Sequence, residues 1–325
     1  MMLYETLGKT GWKVSKAALG GWAPDRSVWS AEHDALFQRG VDIALEEGIN
    51  FFDTAECYGD GYSETILGKA LGGRRKDVYI ASKVWYDHLR KEDTIQACEN
   101  SLKRLGTDYL DVYYIHYPDP KGIIPVEETM EAMLSLKERG LIRTIGVSNF
   151  NLEQMKRVCA MGRVDVIQPG YSLLWRTIDK EIKPYCLENK ISIVPYSPTA
   201  MGILTGKYDK SFKLPENDDR AGTFLYEEKY FPVCVELADK LKPVAAKYEV
   251  TCGQLAINWL NYQEGITSIL IGGKTPEQIQ QNINSFMFEI EKDDLAYLDE
   301  ISREATEKLP YWTAFFRDLG LPMEK

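Results

Sequence analysis

The sequence predicts a closed (β/α)8 TIM barrel of the α/β class. Eight short apolar runs recur along the 325 residues, and segments with helical spacing lie between them. The runs cover 17–22, 49–55, 78–85, 110–116, 142–148, 164–172, 191–197 and 268–273. Strands that alternate with helices favour parallel pairing with both sheet faces covered, and eight such units fit a barrel. An open doubly wound sheet is disfavoured, because LGGWAPD after the first run lacks the G-x-G-x-x-G fingerprint.

Helix signals support the alternation. Ser30 precedes a helical segment that ends before Gly48, the segment from Lys91 ends at Gly106, and Pro125 opens a third. Further helices are expected within 151–162, 178–190, 227–263 and 275–286.

Two segments lie outside the repeat. Residues 3–17, with Gly8 to Gly11 as the turn, predict an N-terminal β-hairpin that plugs the bottom of the barrel. The tail from Glu291 predicts a C-terminal helical extension followed by the aromatic stretch PYWTAFF. The polar segment 209–224 predicts a long loop. Since no linker divides the chain, residues 1–325 are expected to form a single domain.

Composition excludes several classes of protein. A formal net charge of −10 and a pI near 5.1 argue against nucleic-acid binding. No apolar run approaches the ~20 residues of a membrane span, and no signal peptide is evident, so a cytoplasmic location is expected. The six cysteines are scattered without metal-ligand spacing, which indicates reduced thiols and no metal site.

Polar residues stand where three of the predicted strands end. Asp53 ends the second strand and leads to Tyr58, Lys83 ends the third, and His116 ends the fourth. The carboxyl ends of barrel strands share one rim, so these side chains are expected to lie together. Each alone could be a solvated or capping side chain, but a lysine after VYIAS needs a partner if it is buried, and Asp53 could be that partner.

The four side chains suit one kind of chemistry. A neighbouring ammonium lowers the pKa of a phenol, a carboxylate holds the ammonium in place, and an imidazole orients a substrate oxygen. Such a set can protonate a carbonyl oxygen while a cofactor supplies the hydride.

Seven motifs, in order, resemble the aldo-keto reductases. They are DTAECYG (53–59), ASK (81–83), YIHYPD (114–119), GVSNF (146–150), QPGYS (168–172), PYSPTAMGILTGKY (195–208) and IGGKTPEQIQQN (271–282). The resemblance covers nearly the whole chain and implies NADPH-dependent reduction of an aldehyde or ketone. It implies Tyr58 as the general acid, Lys83 as the residue that lowers its pKa, Asp53 as the support for Lys83 and His116 as the substrate-orienting group.

The resemblance also implies a site for NADP(H) or NAD(H). Ser148, Asn149 and Gln168 would hold the carboxamide, and Tyr171 would stack on the nicotinamide ring. The pyrophosphate would lie along Ser197, Thr199, Met201, Gly202 and Leu204. The adenosine end would contact Gly272, Lys274, Gln278, Gln281 and Asn282.

Some of these positions have structural alternatives or depart from the family pattern. Asn149 or Asn151 could cap a helix, Tyr171 could be core, and Thr275 with Gln278 could form a capping box. Lys274 stands where many NADP-preferring members carry arginine, so only a modest preference for NADP is expected. Gln281 stands where many carry glutamate, which would weaken the adenine contact.

Aromatic residues are expected to line the substrate pocket. They are Trp22, Trp85 and Tyr117, with further contributions from Trp175, the 209–226 loop and the tail. The resemblance implies small or sugar-like carbonyl substrates, and it leaves a monomer or a homo-oligomer open. A second hypothesis is a nicotinamide-binding regulatory or redox-sensor subunit of a membrane channel, with slow turnover. A hydrolase or isomerase is disfavoured, because the strand ends show neither paired carboxylates nor a metal cluster.

Overall fold

The structure is a computed structural model that describes residues 2–21, 30–216, 218–314, 316 and 318–320. The predicted pocket residue Trp22 lies outside the described residues. The expectation of one domain over 1–325 stays a prediction.

An N-terminal hairpin closes the bottom of the barrel, as predicted. Its strands β1 (Tyr4–Thr6) and β2 (Lys13–Ser15) pair antiparallel. In the turn, Gly8 N–H donates to Ser192 Oγ at 2.7 Å. Gly8 has φ +51°, and a Cβ there would lie 2.4 Å from the Asp165 carbonyl oxygen, so both conformation and space require glycine.

Eight parallel strands form the barrel, as the apolar runs predicted. Hydrogen bonds from Thr267 N–H to Ile193 O (2.9 Å) and from Leu270 N–H to Pro195 O (3.0 Å) join the two strands at the ends of the pairing order and so close the ring. The strands, which pair in the order β10-β3-β4-β5-β6-β7-β8-β9, are β3 (Ala17–Gly20), β4 (Phe51–Asp53), β5 (Tyr79–Val84), β6 (Leu110–Ile115), β7 (Ile142–Ser148), β8 (Val166–Gln168), β9 (Ser192–Ile193) and β10 (Ile269–Ile271).

Helices surround the strands. They are α1 (Ala31–Glu46), α2 (Tyr62–Leu71), α3 (Lys91–Leu105), α4 (Val126–Glu138), α5 (Leu152–Met161), α6 (Ile182–Asn189), α7 (Phe231–Lys247), α8 (Cys252–Asn261), α9 (Pro276–Ile283) and α10 (Lys292–Thr306). Asn151, rather than Asn149, caps α5 through a reciprocal pair of bonds with Gln154.

Two helical features differ from the sequence prediction. The 227–263 region divides into α7 and α8, because Glu249 adopts φ +56° and Thr251 begins a new helix with a capping box. Helix α2 was not predicted, since glycines flank this short segment and another interrupts it. That internal residue, Gly68, is needed for packing: a Cβ there would lie 2.4 Å from the Leu105 carbonyl oxygen of α3.

The C-terminal extension packs against the barrel through α10. Ser302 Oγ donates to Leu173 O at 2.7 Å, and Arg176 pairs with Asp299 at 2.9 Å. The polar 209–224 segment is largely irregular, as predicted, with a short 3-10 turn at Asp219–Gly222.

Apolar side chains fill both sides of the strands, and this leaves the carboxyl ends for polar groups. Inside the barrel, Phe51, Ala81, Val112 and Val166 belong to one buried cluster. Their neighbours in sequence pack outward against the helices, as period-two alternation requires. In the described part of the chain no helix is long and apolar enough to span a membrane, and the cytoplasmic location stays a prediction.

Candidate active site

A buried ion pair stands at the centre of the carboxyl rim. Lys83, from β5, donates to the carboxylate of Asp53, from β4, and also to Thr54 O at 2.7 Å. Both side chains are almost fully buried. Burial raises the pKa of Asp53, although the charge of Lys83 opposes this, and Gln168 Nε2 donates to the second carboxylate oxygen at 2.8 Å.

Tyr58 lies beside this pair, with its hydroxyl 3.5 Å from Lys83 Nζ. Its pKa is raised well above the usual value, first by burial and then by the negative charge of Asp53. This direction is opposite to the expected lowering by Lys83. The physical reason is that complete burial of the phenol penalises its charged form, and the nearby negative charge of Asp53 adds to this effect.

His116, at the end of β6, completes the group. Burial lowers its pKa well below the usual value, and the charge of Lys83 adds to this, so the imidazole is neutral near pH 7. Its Nδ1 lies 3.7 Å from Cys57 Sγ. The rings of Trp85 and Tyr117 hold it at centroid distances of 4.9 and 5.0 Å. The structure thus brings together the four side chains that the strand ends predicted.

The four residues lie at or beside one end of a cleft of about 840 Å³ that crosses the rim. Trp85 and Tyr117 line it, whereas Trp175 is buried in the core. Of the predicted cofactor residues, those on the cleft wall are Gln168, Ser197, Thr199, Met201, Gly202, Gly272, Lys274, Gln278 and Asn282.

Apart from Tyr171, four predicted cofactor residues do not form the wall of the cleft. Ser148 and Asn149 are buried, and their side chains donate to Gln168 O (2.6 Å) and His116 O (2.9 Å). They support residues of the wall rather than forming it. Leu204 is fully buried core. The exposed Gln281 is not part of the wall either.

The position of Tyr171 does not fit the expected stacking on a nicotinamide ring. Tyr171 is fully buried, its hydroxyl donates to Asp179 at 2.6 Å, and its ring packs 5.7 Å from Trp259. Tyr196 lines the cleft instead and donates to Asn149 Oδ1 at 2.6 Å. Sequence reasoning missed Tyr196, although it lies in the predicted strand run 191–197 and in the PYSPT motif.

The far part of the cleft has the features of an anion site. Ser197, Ala200, Met201 and Gly202 all have φ between +50° and +93°, so the backbone folds tightly there. Within the described chain, the N–H groups of Thr199 and Met201 donate to no acceptor. Such a concave backbone favours phosphate oxygens.

Helix α9 begins on the same side of the cleft. Thr275 caps it by accepting from Gln278 N–H at 3.3 Å. The expected capping box is only half formed, because the Gln278 side chain accepts from Lys274 N–H at 2.8 Å instead of returning to Thr275. The Lys274 ammonium pairs with no carboxylate in the described chain and stands next to a helix N-terminus, where anions are favoured.

Arg220 is a further wall residue; it lies in the 209–226 loop that was expected to contribute to the pocket, although the sequence did not single it out. It pairs with Asp218 at 2.6 Å and donates to Tyr208 OH at 2.8 Å. Tyr226 OH donates in turn to Met201 O at 2.9 Å, which ties the 218–226 segment to the tight backbone turn. The feature of the sequence that could have indicated this role is an arginine within an unusually long polar loop.

The structure places a phenol, an ammonium, a carboxylate and an imidazole together at one end of a cleft on the carboxyl rim of the barrel. Among the described side chains no group of three or more His, Cys, Asp or Glu could hold a metal ion. The Aldo/keto reductase family profile matches residues 16–303, so the chain belongs to the aldo-keto reductase family. As a member of this family, the protein is an NAD(P)H-dependent oxidoreductase.

Several proteins are similar in sequence to this chain over most of their length. Aldo-keto reductase YhdN from Bacillus subtilis (strain 168) is 35% identical over 86% of this chain and 87% of its own length. NADH-specific methylglyoxal reductase from Escherichia coli (strain K12) is 31% identical over 93% of this chain and 98% of its own. A probable voltage-gated potassium channel subunit beta from Arabidopsis thaliana is 31% identical over 87% of this chain and 91% of its own.

Solved structures share the fold. Glycerol dehydrogenase AKR11B4 from Gluconobacter oxydans superimposes with a TM-score of 0.83 at 28% identity, covering 93% of this chain and 95% of its own. An aldo-keto reductase from Klebsiella pneumoniae in complex with NADPH gives a TM-score of 0.74 at 28% identity, with the same coverage of 93% and 95%.

Proposed function

We propose that the protein reduces an aldehyde or ketone to the alcohol with NADPH, and that Tyr58 is the general acid. The observation that carries the proposal is one continuous cleft. Tyr58 lies at one end, 3.5 Å from Lys83, and Lys274 with the start of α9 lies at the other. A cleft with an acid at one end and an anion site at the other suits an extended dinucleotide and a small carbonyl compound.

The wall residues fit such a cofactor. Gln168 and Tyr196 would hold the nicotinamide end, the N–H groups of Thr199 and Met201 would take pyrophosphate oxygens, and Lys274 with Asn282 would hold the adenosine end. When bound, the reduced nicotinamide supplies the hydride.

Tyr58 provides the proton. Its raised pKa keeps the hydroxyl protonated at neutral pH, so it can donate to the substrate oxygen as negative charge develops there. Lys83 lies close enough to stabilise the phenolate that remains, while Asp53 keeps the ammonium in position. The neutral His116 orients the carbonyl oxygen by hydrogen bonding, and Trp85 and Tyr117 shield it from water.

A preference for NADPH over NADH is part of the proposal and rests on Lys274. A lysine near the ribose 2′ position would attract a phosphate as a point charge without the two-pronged geometry of arginine. The preference should therefore be modest. The NADH-specific name of the Escherichia coli relative shows that the family uses both cofactors.

Titration of purified protein with NADPH and NADH, followed by tryptophan fluorescence, tests the cofactor site. Addition of a panel of sugar aldehydes and simple ketones, with the nicotinamide absorbance as readout, tests the activity. Tight NADPH binding and oxidation by a carbonyl compound are expected. Absence of cofactor binding would sink the proposal.

A nicotinamide-binding channel subunit is the second candidate, and the Arabidopsis relative is the observation that favours it. The two candidates differ in rate. A sensor would release its cofactor far more slowly than any turnover, and it would bind a membrane partner. Stopped-flow release of NADP⁺ compared with kcat separates them.

A further inference from the structure

The substrate end of the cleft carries a carboxylate that the proposed reduction does not use. Glu56 lies two residues before Tyr58 and lines the cleft, with 9% of its side chain exposed. Its Oε1 accepts from Trp85 N–H at 2.6 Å and lies 3.1 Å from His88 Nδ1. These contacts hold the carboxylate against the aromatic wall that contacts His116.

The second oxygen of Glu56 is available to a ligand. No donor in the described chain lies within hydrogen-bond distance of Oε2. Oε2 is open to the cleft rather than fully buried, so a ligand that displaces water there and brings a hydroxyl or amine hydrogen can donate to it.

The charges around Glu56 at this end of the cleft are mainly negative. Asp60 and Asp87 also line this end of the cleft. Even when His88 is protonated, its single positive charge is outnumbered by the three carboxylates of Glu56, Asp60 and Asp87. Arg104 does not offset them, because its Nε binds the buried Glu64 at 2.6 Å.

We infer that Glu56 determines substrate specificity by accepting a hydroxyl of the substrate and by excluding carbonyl compounds that carry a carboxylate. The inference rests on the proposed function and names its substrate class. The preferred substrates are hydroxylated carbonyl compounds that are neutral or cationic. An anionic group near Glu56 would meet like charge in a partly desolvated site.

Two matched pairs of aldehydes test both parts. D-Glyceraldehyde and propanal differ in hydroxyl groups, and succinic semialdehyde and butanal differ in a carboxylate. The kcat/KM ratio within each pair is compared between wild type and variants, so aldehyde hydration cancels. Glu56→Gln removes the negative charge but keeps the side-chain shape and an oxygen that can accept from Trp85 N–H. Glu56→Leu removes both the charge and the hydrogen-bond acceptor. Asp60→Asn removes one charge from the same end and serves as the control.

In Glu56→Leu the glyceraldehyde-to-propanal ratio should fall about tenfold, the value of a hydrogen bond to a charged group. Glu56→Gln should show a smaller fall, and its ratio of succinic semialdehyde to butanal should rise several-fold. Asp60→Asn should leave the hydroxyl ratio unchanged. Unchanged ratios in both Glu56 variants, or equal effects of Asp60→Asn, would overturn the inference.

A binding measurement separates this inference from the proposed function. Benzoate and benzyl alcohol are titrated into NADP⁺-loaded protein, with tryptophan fluorescence as readout. Benzoate should bind the wild-type protein more weakly than benzyl alcohol does. In Glu56→Gln the ratio of the two Kd values should be smaller. If no aldehyde is reduced, the proposed function is wrong. If the Kd ratio is the same in the wild type and in Glu56→Gln, the role of Glu56 is wrong, whether or not an aldehyde is reduced.

Discussion

At the scale of single residues, the site is organised by one charge pair rather than by four independent groups. Asp53 and Lys83 are both buried, and each would be costly to bury alone. Burial and the negative charge of Asp53 raise the pKa of Tyr58, so the phenol is protonated near neutral pH. On the proposed function, the substrate carbonyl group must approach this phenol to take up its proton.

Tyr58→Phe should remove most turnover and leave cofactor binding unchanged. General acids contribute about 10²- to 10⁴-fold to rate, and a loss of kcat in that range is expected. The Kd for NADPH, measured by fluorescence, should stay within a factor of about two, since the hydroxyl lies at the substrate end. A large loss of NADPH affinity would mean that the ends of the cleft are misassigned.

Lys83→Met should destabilise the fold by about 3–5 kcal/mol, because it leaves the Asp53 carboxylate buried with only Gln168 beside it. Adding Asp53→Leu should recover much of this stability, while activity stays lost in both proteins. Urea unfolding gives the free energies. Lys210→Met is the control: it breaks an exposed pair with Glu236 and should cost less than about 1 kcal/mol. A double variant no more stable than Lys83→Met would contradict the argument.

At the scale of elements, two short pieces of backbone create the anion site. The 197–202 turn and the start of α9 both present N–H groups at the same cleft, although over 70 residues separate them in sequence. Parallel strands end on one rim, and β10 carries α9 to the side on which the turn after β9 lies. The barrel therefore brings to one cleft the N–H groups of two elements that are far apart in sequence.

Lys274→Gln should lower NADPH affinity about tenfold and leave NADH affinity nearly unchanged, since a single charge on a partly exposed phosphate contact is removed. Fluorescence titration with both cofactors measures the change. Lys103→Gln, an exposed change on α3 away from the cleft, is the control. Equal losses for the two cofactors would show that Lys274 does not contact a 2′-phosphate.

At the scale of the whole molecule, acid stability should depend on His116. Its folded pKa is lowered, whereas the unfolded chain has the usual value of about 6.5. As pH falls below that value, the unfolded state takes up a proton that the folded state does not, and stability is lost by up to about 1.4 kcal/mol per pH unit. Stability is therefore greatest above this window.

Urea unfolding at pH 7.5 and 5.5 measures this loss. His116→Gln should lose less stability on acidification than wild type does. His88→Gln should lose more, because the pKa of His88 is raised, through Glu56, against the opposing effect of burial. Equal losses in wild type and His116→Gln would show that the imidazole is not buried in its neutral form.

The sequence predicted most of the architecture because its signals are local. Apolar runs, terminal glycines and capping residues each act within a few positions, and all eight strands followed them. Helix α2 was missed because its glycines resemble a loop, and only the close approach of Gly68 to α3 explains them.

Contacts between distant residues also limited how much of the site could be predicted. Asp53, Tyr58, Lys83 and His116 could be grouped because parallel strands deliver their ends to one rim. Tyr171 and Tyr196 could not be distinguished, since both are tyrosines near the ends of predicted strand runs. Burial against Trp259 and a bond to Asp179 decide that Tyr171 belongs to the core.

The barrel, the hairpin, the family and the four side chains of the rim could be predicted from the sequence, because periodicity, turn residues and motif order depend on positions that are close along the chain. The raised pKa of Tyr58, the identity of the aromatic ring that lines the cleft, and the contacts of Arg220 and Glu56 are visible only in the folded molecule. They depend on burial and on contacts between residues far apart in sequence. A linear pattern brings such residues to one rim but does not give the distances between their atoms.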